Sequence, residues 1–267
     1  MIDLPAPILS MTAGKIPRRN DIGFSNTTVY EYEDMVLKIS LPDKAAENAA
    51  QMMRWLDGRL PVPRLLCDIT EKGRRFQLMS RIDGEMSCAP CHMRRPNETV
   101  DALAEGIRLL WNTDITDCPC HHGLDHALTA ARSNIETGIY HAADATPGTF
   151  GKGGFSSPAA LLDWLERNRP DEELVLTHGD YCMPNILLKE TPQGTALGGF
   201  IDLGTMGIAD RFQDIALCAR SLRLNFAGAY GGSAYPGLDL NRLFAALGIP
   251  RDNDRLRYYT LLDELSC

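Results

Sequence analysis

The segment Leu174 to Arg220, LVLTHGDYCMPNILLKETPQGTALGGFIDLGTMGIADRFQDIALCAR, sets acids and an amide among strand-like runs. His178-Gly179-Asp180 follows the first run, Asn185 comes five residues after Asp180, and Asp202 closes Gly199-Phe200-Ile201. Phosphoryl transfer needs a carboxylate beside the attacking hydroxyl, oxygen ligands for magnesium and a cation on the nucleotide phosphates. Asp180 could orient the hydroxyl and accept its proton, and Asn185 and Asp202 could hold Mg2+ as hard oxygen ligands. Lys38, inside the β-prone run Met35-Val36-Leu37-Lys38-Ile39, could neutralise the α- and β-phosphates, with the turn carrying Gly23, Ser25 and Asn26 laid over them. Taken singly, these signals have plainer readings: HGDxxxxN as a turn that bonds its own backbone, Lys38 as a surface lysine, Gly23 as a hairpin turn.

Residues 22–40 predict a β-hairpin with Thr28-Val29-Tyr30 as one strand, Met35 to Ile39 as the other and Glu33-Asp34 at the return. Ala45 to Leu56 is rich in helix formers, Gly58 suits a C-terminal cap, and Pro61-Val62-Pro63 stops the helix. Phe76 to Met79 reads as a strand, and the polar connector from Asp83 to Asn97 separates a small first lobe from the rest. Val100, Leu103, Ala104, Ile107, Leu110 and Trp111 follow helical spacing. After a Gly- and Ser-rich stretch at 141–157, Ser157-Pro158 opens another helix with a capping hydroxyl and a proline in its first turn. The chemistry-bearing segment itself reads strand, loop, hairpin, loop, helix.

A chain of 267 residues, 44% hydrophobic and 23% charged, suits two folded lobes sharing one cleft. No run reaches the roughly 18 apolar residues of a membrane span, and MIDLPAPILS lacks a basic-then-apolar leader, so the expectation is a cytoplasmic protein. The eight cysteines are then expected as thiols. With 27 Lys plus Arg against 35 Asp plus Glu, the net charge of −8 disfavours nucleic-acid partners and mildly favours cationic ligands.

The pairing of HGDxxxxN with IDLG resembles the aminoglycoside phosphotransferases of the 3′-hydroxyl type, relatives of the protein kinases. The resemblance runs from about Ile22 nearly to the C-terminus. Asp210-Arg211-x-x-Asp214-Ile215-Ala216, Trp55-Leu56-x-x-x-Leu60-Pro61-Val62-Pro63 and Arg257-Tyr258-Tyr259-x-Leu261-Leu262-Asp263-Glu264-Leu265 strengthen it. It implies an α+β, two-lobed, protein-kinase-like fold. A small antiparallel sheet plus helix would occupy 1–90, a mainly helical lobe 91–267, and ATP or GTP the cleft between. It implies Asp180 as catalytic base, Asn185 and Asp202 as magnesium ligands, Lys38 as the phosphate-binding lysine, and Glu264 as a contact to the amines of a cationic aminosugar. Asp214 reads as structural.

Two positions and one stretch depart from the family pattern. Ala49 stands where a glutamate on the helix would pair with the lysine, and Glu47 lies about 200° around a helix from it. Thr205 replaces the arginine usual after IDLG, with Arg211 as a candidate substitute. His141 to Ser157 holds one acid, Asp144, where relatives present several. These keep open an acceptor other than an aminoglycoside and a degenerate kinase-fold binding protein; a two-metal hydrolase would need further histidines from separate loops. Separately, Cys88-x-x-Cys91-His92 and Cys118-x-Cys120-His121-His122 are ligand-rich enough for a structural zinc ion.

Overall fold

Met35, Leu37 and Ile39 are buried while Val36, Lys38 and Ser40 are only half-covered, so strand β3 (Met35–Ser40) shows the alternation of a sheet with two different faces. It is the middle strand of a five-stranded antiparallel sheet ordered β1-β2-β3-β5-β4. It pairs with β2 (Thr28–Glu31) and β5 (Arg74–Ser80), while β1 (Arg18–Asn20) and β4 (Leu65–Glu71) form the two edges. One face packs with α1 (Ala6–Met11) around Ile8, Tyr32, Leu37, Phe76 and Leu78. The other face, with Lys38 directly opposite Gln77, looks toward the rest of the molecule. The computed structural model describes residues 4–20, 27–138, 140 and 145–266.

Helix α2 (Lys44–Leu56) starts where the side chain of Asp43 accepts the N–H of Ala46 at 2.8 Å. Its apolar residues Ala49, Met52, Met53 and Leu56 enter a core shared with the second lobe, not the core of the sheet. At its end, Asp117 accepts from the Trp55 indole and the Arg59 guanidinium at about 3 Å, a second fastening to that lobe.

The polar connector carries a short strand, β6 (Glu85–Met86), which joins β8 (Ile186–Thr191) and β9 (Gly194–Phe200) in a three-stranded sheet. After α3 (Pro90–Met93), α4 (Pro96–Trp111) buries the expected stripe of Val100, Leu103, Ile107 and Leu110. Gly106 on this helix leaves room for Tyr181, whose hydroxyl donates to Leu103 O at 2.7 Å where a Cβ at 106 would overlap it. Helices α5 (Leu124–Glu136), α6 (Pro158–Arg167), α7 (Arg211–Phe226), α8 (Leu240–Leu247) and α9 (Asn253–Asp263) complete the lobe. Ser157 caps α6 through Ala160 N–H, as its sequence predicts. A two-stranded ladder, β7 (Leu174–Thr177) against β10 (Gly207–Asp210), brings the two ends of the motif-bearing segment together. The result is the two-lobed α+β architecture expected from the sequence.

The cysteine knots are not joined into a metal site: among the described residues, no three His, Cys, Asp or Glu side chains converge as a ligand set. Cys118 and Cys120 are buried thiols, and Cys120 lies against the Gln51 side chain. Among the described residues, no helix is long and apolar enough to cross a membrane.

Candidate active site

The turn after β7 is shaped by one buried carboxylate. Asp214, on the first turn of α7, accepts the backbone N–H groups of His178 at 2.7 Å and Gly179 at 2.9 Å. Gly179 has φ +82, and a Cβ there would overlap the Thr205 carbonyl oxygen, so the turn demands glycine on both grounds. Thr205 Oγ1 in turn donates to His178 O at 3.2 Å.

His178 joins this turn to the end of β9. Its Nδ1 lies 3.4 Å from the Asp180 N–H and must accept, which makes Nε2 the protonated nitrogen that donates to Ile201 O at 2.9 Å. Burial lowers the imidazole pKa, and this outweighs the opposing pull of Asp180 and Asp202, whose charges both reach it. The ring is therefore neutral. It packs against Tyr181 and Phe200, with centroids 6.1 and 6.2 Å away.

A 3-10 turn at Met183–Asn185 folds Asn185 back on Asp180, and Asn185 Nδ2 donates to the Asp180 carbonyl at 3.0 Å and to its Oδ2 at 2.8 Å. With the amide nitrogen so committed, Asn185 Oδ1 is left as the free hard-oxygen donor. Ile201 N–H bonds to Asn185 O at 3.0 Å, which fixes the approach of Asp202 to the same turn. Asp202 is in the left-handed region, φ 60 and ψ 64, a conformation that costs a non-glycine residue on the order of 1 kcal/mol.

Lys38 reaches across from the sheet, and its Nζ lies 2.8 Å from Asp202 Oδ1. The surrounding protein pushes the Asp202 carboxyl up, but the charge and hydrogen bond of Lys38 more than offset this and hold it below its ordinary value. Lys38, Asp180, Asn185 and Asp202 are thus brought to one place by β3, the turn after β7 and the end of β9. Gly23, Ser25 and Asn26 lie outside the described residues.

Two questions that the sequence left open are answered among the described residues. Glu47 is exposed and Ala49 is packed in the core, so the partner of Lys38 is Asp202 and not a carboxylate on α2. Arg211 does not replace the cation absent at Thr205: it pairs with Glu173 at 3.1 Å and stacks on Trp111. Glu264 follows α9, where its Oε2 accepts the Thr146 N–H at 2.8 Å. Next to it, Asp263 pairs with Arg220 at 2.5 Å and feels the charges of both Asp180 and Glu264. Asp263 therefore lies within electrostatic reach of the Asp180 turn. Sequence reasoning singled out Glu264 and passed over Asp263, although both stand in one LLDEL run. Asn48 and Gln77 carried no motif signal at all.

Residues 17–259 match the profile of the phosphotransferase enzyme family. The chain belongs to this family. The phosphotransferase is 35% identical over 254 residues to an aminoglycoside 3′-phosphotransferase of Niallia circulans, covering 92% of this chain and 90% of that one. It is 36% identical over 225 residues to an aminoglycoside 3′-phosphotransferase of Enterococcus faecalis, covering 82% and 78% respectively. Among solved structures, it superposes on an aminoglycoside phosphotransferase from Streptomyces rimosus with a TM-score of 0.77 at 26% identity, covering 100% of this chain and 99% of that one. The same Streptomyces rimosus enzyme has also been solved with ADP and streptomycin, and that structure matches with a TM-score of 0.76.

Proposed function

We propose that this chain transfers the γ-phosphoryl group of a magnesium-bound nucleotide, ATP or GTP, to the 3′-hydroxyl of an aminoglycoside in the cytoplasm. The observation that carries the reading is the convergence of Lys38 on Asp202 beside the Asp180–Asn185 pair. The 3′-phosphotransferases named above support the acceptor, and the ADP and streptomycin bound to the Streptomyces rimosus enzyme support the nucleotide.

The donor set suits magnesium. Asp202 offers a carboxylate oxygen beyond the one held by Lys38, Asn185 offers Oδ1, and both are the hard oxygen ligands that this ion takes. When bound, magnesium would offset charge on the nucleotide phosphates. Lys38 would neutralise the α- and β-phosphates, with Gly23, Ser25 and Asn26 covering them. Asp180, held by Asn185, would orient the acceptor hydroxyl and accept its proton. Glu264, with Asp263 beside it, would receive the acceptor's amines through charge-assisted hydrogen bonds. In this reading residues 1–90 form the nucleotide-binding lobe and 91–267 the lobe with the catalytic turn and acceptor pocket. Catalysis is then positioning and charge neutralisation. Modification places negative charge on an antibiotic that depends on cationic character, which amounts to resistance.

The experiment is nucleotide turnover with magnesium against kanamycin-like, neomycin-like and non-aminoglycoside acceptors, with Asp180→Ala as control. Turnover dependent on an aminoglycoside and lost in the variant is the expected result. Turnover only with other acceptors would discard the resistance role, and nucleotide binding without turnover would indicate a binding protein.

A further inference from the structure

The lysine of this site has no carboxylate partner on α2, yet α2 is fastened to both halves of the site by side-chain amides. Asn48 Nδ2 lies 2.9 Å from Met206 O, 3.1 Å from Gly204 O and 3.3 Å from Leu203 O. Its two hydrogens are shared among three carbonyls, all in the turn immediately after Asp202. Gln77, only 1% exposed, donates through Nε2 to Ala46 O at 2.9 Å. Gln77 sits opposite Lys38 in the β3–β5 ladder, so the two side chains share a face of the sheet.

From these contacts we infer that Asn48 and Gln77 are positioning residues that set the reach between Lys38 and Asp202, taking the place of an ion pair between sheet and helix. The inference rests on the phosphotransfer reading of the site. Ala46 and Asn48 stand two residues apart on one rigid helix, so α2 acts as a gauge: one amide holds it to the lysine-bearing sheet and the other to the Asp202 turn. Asp202 needs such support, because a left-handed aspartate persists only where its surroundings over-determine it. The turn also packs closely on the helix, with a Cβ at Gly204 falling 3.3 Å from the Ala45 Cβ. Neutral amides place no second carboxylate from α2 on Lys38, whose ion-pair partner among the described residues is Asp202.

The variants Asn48→Leu and Gln77→Met keep side-chain bulk and remove the donors. Three readouts apply: calorimetric affinity for magnesium ADP, hydrogen exchange of the Met206 amide in the nucleotide-free protein, and steady-state constants for nucleotide and acceptor. The expected result is about tenfold weaker magnesium ADP binding in each variant, the scale of one lost buried hydrogen bond, with acceptor KM within about twofold of wild type. Met206 exchange should accelerate in Asn48→Leu. Unchanged ADP affinity and unchanged Met206 exchange beside a lowered thermal midpoint would reduce both amides to structural roles and overturn the inference. If Asn48→Leu does not fold, Asn48→Ser, which keeps one donor, takes its place and should fall between wild type and Gln77→Met in ADP affinity. Wild type that binds magnesium ADP but phosphorylates no acceptor would sink the phosphotransfer reading while the binding comparison still decides the amides. Wild type that fails to bind magnesium ADP overturns both.

Discussion

Asn185 holds Asp180 twice with one nitrogen, at the backbone carbonyl and at Oδ2. The carboxylate is thereby fixed in orientation, with the Cys182 thiol as a further hydrogen-bond partner. A base locked in this way contributes through placement, so Asp180→Asn should lower kcat by about 10²- to 10⁴-fold with little change in either KM. Asparagine keeps the side chain's size and an acceptor oxygen for Asn185, so the thermal midpoint should stay near that of wild type. A kcat within a few-fold of wild type would remove Asp180 from the role of base.

Lys38→Met separates two consequences of one ion pair. The nucleotide loses its cation, and its KM should rise by about tenfold or more. Asp202 loses the charge that holds its pKa down, so its folded pKa rises. A ligand that must be ionised is then lost earlier on acidification, and the acidic limb of the kcat/KM profile should move to higher pH. A profile that does not move would separate Asp202 from metal binding.

The neutral state of His178 has a pH signature. Its folded pKa is depressed below the unfolded value near 6.5, so its contribution to stability is complete above that pH and is lost as pH falls through it. Protonation would also remove the acceptor for the Asp180 N–H. Between pH 8 and 5.5, wild type should lose more stability in urea titrations than His178→Gln, whose side chain does not titrate. Equal losses in the two proteins would contradict the buried-imidazole account.

Gly179→Ala meets two obstacles at once, a left-handed backbone and the Thr205 carbonyl. Relief of either would displace the N–H groups that Asp214 holds. The expected cost is about 2–4 kcal/mol in chemical denaturation, with activity near background. Wild-type activity in this variant would show that the turn is more plastic than its contacts imply.

The legible parts of this protein were those in which chemistry and local pattern coincide. Met35 to Ile39 alternates, Ala45 to Leu56 follows helical preference, and Ser157-Pro158 is a helix start that needs no tertiary help. The HGDxxxxN and IDLG runs singled out Asp180, Asn185 and Asp202, which the fold brings together, because they stand in short, contiguous turns. Strand β10 was not legible: all four of its residues are buried, so Gly207-Ile208-Ala209-Asp210 shows no alternation. Helix α5 sets Leu124, Leu128, Ala131 and Ile135 at helical spacing but interleaves them with Thr, Ser and Asn, and it packs on α6 and α9. Asn48 and Gln77 escaped for a different reason. Their roles are set by carbonyls distant in sequence, and no local spacing signals that.

Helix α2 lies in the chain between β3 and β4, two strands of the first sheet, while its apolar side belongs to the core of the second lobe. No contiguous piece of the polypeptide contains the whole sheet without also containing this borrowed helix. Cutting the chain near residue 90 would leave Met52, Met53 and Leu56 bare on one fragment and an open seat on the other. The two lobes are therefore interlocked in sequence, and heat or denaturant should melt them in a single cooperative transition, not one after the other.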